Sequence, residues 1–165
     1  MASYNFGKKD VCKMLKERFN IGDRVLDIGP CNGKWYNMLS NYFKMDAVEI
    51  WKPYILRYNL LKKYENLYYN DILKHDNFKY DIIIMGDVLE HIEVKPAQEL
   101  VKRMYSECKE LIIAVPYKMK QPAFINPFQK HLQADLTHDI FMKRYPGFKL
   151  FWGNRKYGYY IKDIK

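Results

Sequence analysis

Asp27, Gly29 and Gly33 fall close together in the stretch Val-Leu-Asp-Ile-Gly-Pro-Cys-Asn-Gly, residues 25–33. The apolar lead-in reads as a strand, and the glycines mark a tight turn before a helix. Gly29 can take a backbone shape that a side chain forbids, and Gly33 is expected to let the following helix pack close to the strand. Glu49 comes 22 residues after Asp27, at the end of a second apolar run. In dinucleotide-binding folds an acid meets ribose hydroxyls at a spacing of about 20 residues. A carboxylate accepts hydrogen bonds from both hydroxyls of a ribose, so the pattern points to a nucleoside held between a glycine bend and an acid. The plainer alternative is a structural turn with no ligand.

A second group could move a proton. Asp87, Glu90 and His91 stand in Gly-Asp-Val-Leu-Glu-His, residues 86–91, and His131 closes Asn-Pro-Phe-Gln-Lys-His, residues 126–131. Asp87 and His91 are four apart and share a face if the segment is helical, which would make His91 a base oriented by a carboxylate. The alternatives are a packing histidine at 91 and a loop anchor at 131. Cys31 reads as a small packing residue rather than a nucleophile, because no basic neighbour in the sequence lowers its pKa. No His/Asp cluster has ligand-like spacing, so no metal is expected, the acids near Asp87 being the one place that leaves room for one.

These residues need elements to position them. The pattern predicts a helix over 8–19, a strand over 24–28, a helix over 34–43, a strand over 47–50, and a helix over 51–64 with Pro53 in its first turn. Short strand 67–69, strand 80–85, helix 96–109 and strand 110–115 follow. A loop then runs over 117–127. Thr137 caps a short helix that ends by Tyr145 before Pro146-Gly147, and strands 148–152 and 157–161 flank a hairpin turn. Apolar runs such as Ile-Ile-Ile-Met, residues 82–85, belong to parallel strands covered on both faces. The expected fold class is therefore α/β: a Rossmann-like, doubly wound, mostly parallel sheet of about seven strands with a C-terminal antiparallel hairpin. In such sheets ligands bind beyond the carboxyl ends of the strands, where each chemical group above falls.

A nicotinamide or flavin site wants G-x-G-x-x-G so that helix N-terminal amides hold a pyrophosphate. Here the loop reads D-x-G-x-C-x-G, which suits a phosphate-free cofactor, S-adenosylmethionine. At this point the chain resembles the class I S-adenosylmethionine-dependent methyltransferases, and among them small stand-alone bacterial methyltransferase-domain proteins. The pieces that carry the resemblance are VLDIGPCNGKW (25–35), VEIWKPYI (48–55), YDIIIMGDVLEHI (80–92) and NPFQKH (126–131). The resemblance implies that Asp27, Gly29, Pro30 and Gly33 lie beside the methionine part. It implies that Glu49 holds the ribose, with Ile50 or Trp51 against the adenine. Asp71 would face the adenine amino group with Ile72 beside it, though a helix-capping role is the alternative for Asp71. Gly86 and Asp87 would sit near the sulfonium and the acceptor, with His91 and His131 as acceptor-side groups. The family's middle loop glycine is Cys31 here, which narrows the space beside the cofactor.

The chain has 165 residues, a net charge of +9 and a pI near 9.3. One domain is expected, comprising an N-terminal helix (1–22), a cofactor-binding core (23–116), an acceptor-side loop and short helix (117–147) and a terminal hairpin (148–165). Charge concentrates at the end, where Lys143, Arg144, Lys149, Arg155, Lys156, Lys162 and Lys165 stand against Asp163 alone, among aromatics such as Trp152, Tyr157, Tyr159 and Tyr160. Such a tail could track phosphates and stack bases, or form two strands with aromatic inner faces and solvated lysines outside. There is no Asn/Asp-Pro-Pro-aromatic motif after the fourth strand and no Pro-Cys there, which disfavours base-amino and cytosine C5 chemistry. The expected partner is a small-molecule acceptor, methylated on an oxygen of a sugar, glycan precursor or metabolite. RNA and a non-catalytic binding role are the alternatives. The N-terminal helix, the loop 117–138 and the hairpin are the segments expected to recognise the acceptor. Three scattered cysteines, no apolar leader and no membrane-length apolar run fit a reduced cytoplasmic setting. The sequence leaves the oligomeric state open.

Overall fold

The computed structural model describes residues 7–163, the side chain of Asp163 excepted. Residues 1–6, read above as lacking an export leader, and Lys165 of the basic tail lie outside the described residues. Strands β1 (Arg24–Ile28), β2 (Lys44–Glu49), β3 (Leu67–Tyr69), β4 (Ile82–Gly86) and β5 (Glu110–Pro116) run parallel. The hairpin strands β6 (Lys149–Gly153) and β7 (Tyr157–Asp163) follow, and β7 docks antiparallel on β5. The sheet order is β3-β2-β1-β4-β5-β7-β6, the expected doubly wound sheet with a terminal hairpin.

Alternation along β4 shows why the sheet is covered twice. Ile82 and Ile84 pack with Val11 and Leu15 of α1 (Lys8–Arg18), Leu39 of α2 (Lys34–Leu39) and Ile55 of α3 (Lys52–Arg57). Ile83 and Met85 face the other way, onto α4 (Val94–Glu107) and Phe141 of α5 (His138–Arg144). Along α4, Ala97, Leu100, Val101 and Met104 form one buried stripe at helical spacing. Leu100, Val101 and Met104 each contribute roughly 1.5–3 kcal/mol on burial. Thr137 caps α5 as predicted, its hydroxyl accepting from the Ile140 amide at 3.2 Å.

Three expectations are corrected. The helix predicted over 51–64 stops at Arg57. Asn59 then takes a left-handed φ of 53° and a single 3-10 turn covers Leu60–Lys62. The break swings Leu60 and Tyr64 into the core, where packing outweighs local helix preference. The helix predicted over 34–43 ends at Leu39, and β2 begins at Lys44 rather than Ala47. Asp46 hid that start, since a buried acid argues against a strand. Arg24 (2.6 Å), Tyr80 (2.8 Å) and the Asn66 amide (3.0 Å) all satisfy it.

The terminal run Tyr-Gly-Tyr-Tyr-Ile is buried because β7 is an interior strand. Tyr159 meets Trp35 edge-on at 6.2 Å on one face, and Tyr160 stacks on Phe141 at 3.7 Å on the other. These tyrosines belong to the core, while Lys149, Arg155 and Lys156 are exposed. Cys12, Cys31 and Cys108 are free thiols. Among the described residues no helix is long and apolar enough to cross a membrane.

Candidate active site

A cavity of about 610 Å³ opens at the carboxyl ends of β1, β2, β4 and β5. It lies where the strand order reverses between β1 and β4, the ligand crevice of doubly wound sheets. Its walls are Gly29–Asn32 after β1, Glu49 and Ile50 after β2, residues 70–73 after β3, and residues 86–88 and 90–93 after β4. Residues 126–132 complete it from the loop after β5. That loop reaches across to α3: Gln129 donates to the Tyr54 hydroxyl at 2.7 Å, and Phe128 meets Trp51 edge-on at 6.1 Å. Of the three segments expected to recognise an acceptor, only this loop lines the cavity; none of the described residues of α1 or the hairpin does.

Gly29 has φ +66°, and a Cβ there would lie 2.4 Å from Val88 Cγ2. The β1 bend and the segment after β4 are therefore in contact, and only glycine fits between them. Gly33 also needs a positive φ, +75°. A Cβ there would meet the flexible end of Lys63, so its role is to start α2 rather than to bring helix and strand together. Cys31 shares the left-handed bend at φ 50°, and burial raises its thiol pKa, with Glu49 adding to the effect. That fits a packing residue.

The resemblance put Asp27 beside the ligand. In the structure it lies beneath the bend, 1% exposed, and accepts from the Tyr64 hydroxyl at 2.6 Å. Its Oδ1 has no hydrogen-bond partner among the described residues. Burial pushes its pKa up to about 7, against the Tyr64 hydrogen bond and the charge of Lys8. An acid raised from 3.8 binds its proton more tightly folded than unfolded, so this group's contribution to stability is full below about pH 4 and is lost as pH rises through 7. The span corresponds to roughly 4 kcal/mol. Asp27→Asn is expected to remove that slope: between pH 4 and 7 the variant should gain on the wild type in urea unfolding. Parallel pH profiles would show that Asp27 is not the source.

Glu49 is buried, its Oε1 accepting from the Trp51 amide at 2.8 Å and its Oε2 from the Cys31 amide at 3.3 Å. A carboxylate has about four lone-pair sites, so beyond its backbone amides it can still receive hydroxyls from the cavity it lines. Burial raises its pKa, opposed by those amides. Of its neighbours, Ile50 lines the cavity and Trp51 supports Phe128. Asp71 both caps and lines: its Oδ1 accepts from the Leu73 amide at 3.0 Å, and Ile72 lies beside it in the wall.

After β4, Asp87 takes φ 56° and a 3-10 turn covers Leu89–His91. The α-helical i,i+4 pairing of Asp87 with His91 is therefore corrected. Asp87 instead accepts from the Tyr157 hydroxyl at 2.7 Å, and His91 turns to His131, their rings 4.8 Å apart. Glu90 joins them, 1% exposed, its pKa raised by burial and then by Asp87. Burial lowers the His91 pKa to about 4, against the Lys130 carbonyl that favours its cation, so the ring is neutral at neutral pH. His131 is the anchor of its loop, Nδ1 lying 2.8 Å from the Met119 carbonyl, and also part of the wall. Reading the sequence for ligand spacing missed this cluster because the two histidines are 40 residues apart. Tyr54 and Phe128 were missed as site residues as well, although both lie in the stretches 48–55 and 126–131, because nothing in those stretches shows that the two segments meet across the cavity.

The cavity's charge is opposite to that of the chain. Glu49, Asp71, Asp87, Glu90 and Glu93 line it against Lys34 and Lys130. Such a lining suits a cationic sulfonium nucleoside and repels a pyrophosphate, so the residues present fit S-adenosylmethionine.

No protein-family model matches this sequence, and no curated protein matches it. Solved structures do match. A S-adenosylmethionine-dependent methyltransferase from Clostridium acetobutylicum is similar with a TM-score of 0.72 at 11% identity, over 99% of this chain and 92% of that one. The N-methyltransferase NodS from Bradyrhizobium japonicum is similar with a TM-score of 0.67 at 12% identity, over 97% of each chain. The N-terminal domain of EvdMO1, in the presence of SAH and D-fucose, has a TM-score of 0.69 at 12% identity, over 99% of this chain and 85% of that one. The likeness is one of fold, and the chain has the fold of the class I S-adenosylmethionine-dependent methyltransferases.

Proposed function

We propose that this protein transfers a methyl group from S-adenosylmethionine to an oxygen of a small molecule, a sugar, glycan precursor or metabolite. The observation that carries this reading is the acidic, largely apolar cavity at the switch point of a basic protein, with Glu49 fixed at the end of β2. When bound, the cofactor supplies an activated methyl: its C–S bond breaks as a C–O bond forms, leaving S-adenosylhomocysteine. Glu49 would accept the ribose hydroxyls, Ile50 and Ile72 would flank the base, and the Gly29 bend would make room for the amino-acid end. Asp87 places negative charge near the sulfonium. The proton of the acceptor hydroxyl meets Asp87, His91 and His131. Alignment within a dry cavity supplies most of the acceleration. The D-fucose present with one structural relative supports a sugar as acceptor.

The RNA alternative loses most of its aromatic half, because the tail's tyrosines are buried and only Phe151 and part of Trp152 face outward. Its exposed lysines lie on α5 (Lys143) and on the hairpin (Lys149 and Lys156), whose outer strand β6 is three positions from β4 in the sheet.

Calorimetry with S-adenosylhomocysteine should give one site per chain. Loss of S-adenosylmethionine should then be followed across a panel of sugars and other hydroxyl compounds. Turnover is expected to vary little with salt, whereas an RNA substrate would make it fall steeply. No heat with the nucleoside would overturn the reading.

A further inference from the structure

We propose that Glu90, His91 and His131 form a binding site for one divalent transition-metal cation, facing the cavity on its acceptor side. His91 Nδ1 lies 3.1 Å from the Lys130 carbonyl, and His131 Nδ1 lies 2.8 Å from the Met119 carbonyl. A carbonyl oxygen only accepts, so in the neutral ring each Nδ1 carries the proton and each Nε2 carries a lone pair. This is how metal-binding histidines are oriented, by a second hydrogen bond from the other ring nitrogen.

Both Nε2 atoms turn to the same carboxylate oxygen. They stand 4.0 Å (His91) and 3.9 Å (His131) from Glu90 Oε1, too far for hydrogen bonds. All three donor atoms lie within 4.8 Å of one another. Two metal–ligand bonds of about 2.1 Å at a tetrahedral angle bring their donors to about 3.4 Å, so an ion would draw each ring toward Oε1 by about half an ångström. Glu90 Oε2 is buried and has no hydrogen-bond partner among the described residues, a costly state for a carboxyl group that a cation would relieve.

The arrangement is braced. The Leu132 and Gln133 amides donate to the Glu90 carbonyl at 2.8 and 3.0 Å. The Gln133 side chain donates to the carbonyls of Leu89 and Ile92 at 3.1 and 2.9 Å. The loop that carries His131 is thus tied to the turn that carries Glu90 and His91. Two imidazoles and a carboxylate favour zinc, cobalt, nickel, iron or manganese over magnesium or calcium. The ion's remaining positions face the cavity and would take the acceptor's oxygen, leaving Asp87 to receive its proton. That role, unlike the site itself, rests on the methyl-transfer reading.

The test uses the full chain after chelation, titrated with Co²⁺ and followed by visible absorption, with Zn²⁺ displacement by calorimetry. One equivalent is expected, with cobalt bands characteristic of nitrogen and oxygen ligands. Glu90→Gln and His131→Ala should each weaken it by more than ~10-fold, while His138→Ala should not. Circular dichroism reports whether each variant is folded. No cobalt signal in the wild type, or equal affinity in a folded variant, overturns the site, as does unaltered binding by His91→Ala if the first two fail to fold. Nucleoside binding without cobalt binding refutes the metal alone. Cobalt binding without nucleoside binding leaves the site standing and refutes the methyl-transfer reading.

Discussion

Replacing Glu49 with alanine is expected to weaken S-adenosylhomocysteine binding about 100-fold. Hydrogen bonds to a charged group contribute roughly 1.5–3 kcal/mol each. Losing two to the ribose, less the desolvation they had cost, leaves about 3 kcal/mol, which is that ratio. The alanine variant also frees the Trp51 and Cys31 amides that the carboxylate holds, so the bend loosens as the acceptors vanish. Glu49→Gln keeps one oxygen but turns an NH₂ toward an amide donor, and should fall between the two. Because burial raises the Glu49 pKa and the ionised form is the better acceptor, wild-type affinity should weaken on acidification at a higher pH than an exposed glutamate would dictate. Calorimetry of the three proteins over pH measures all of this. Equal affinity in wild type and Glu49→Ala would place the nucleoside elsewhere.

The parts of the fold that were legible in the sequence are those where local pattern and tertiary demand agree. Ile-Ile-Ile-Met reads as a strand buried on both faces and is one. Thr137 reads as a cap and is one. The helix over 51–64 reads as continuous because nothing local opposes it. Its break at Asn59 serves Tyr64, whose hydroxyl must reach Asp27, 37 residues earlier. A contact of that separation has no trace in a periodicity.

The site divides in the same way. Gly29, Glu49 and Asp71 were readable as residues of the cavity wall, because such places follow from backbone conformation and strand ends. Asp27 has the expected residue type but a supporting place, since its side chain points under the bend. The partnership of Glu90 with both histidines was not readable. It depends on a loop folding back from β5 and on the Asp87 turn being non-helical, neither of which a four-residue spacing can report.

That turn is also where the second large effect is expected. Gly29→Ala should destabilise the protein by roughly 3 kcal/mol. About 1–2 kcal/mol is the left-handed backbone at φ +66°, and about 1–3 kcal/mol is overpacking of a Cβ built 2.4 Å from Val88 Cγ2. For a chain of this size that is a fall in Tm of ~10 °C. Relief of the clash would push Val88 toward the cavity it lines, so nucleoside affinity should fall as well. Val88→Ala in the Gly29→Ala background is expected to recover the overpacking share and the affinity, but not the backbone share. The double-mutant cycle should thus show a coupling of about 1–2 kcal/mol. Strict additivity would mean that the bend and the segment after β4 do not press on each other. Coupling would mean that the shape of the nucleoside's bend and the placement of Asp87, Glu90 and His91 are set by a single contact, so that neither half of the cavity can change without the other.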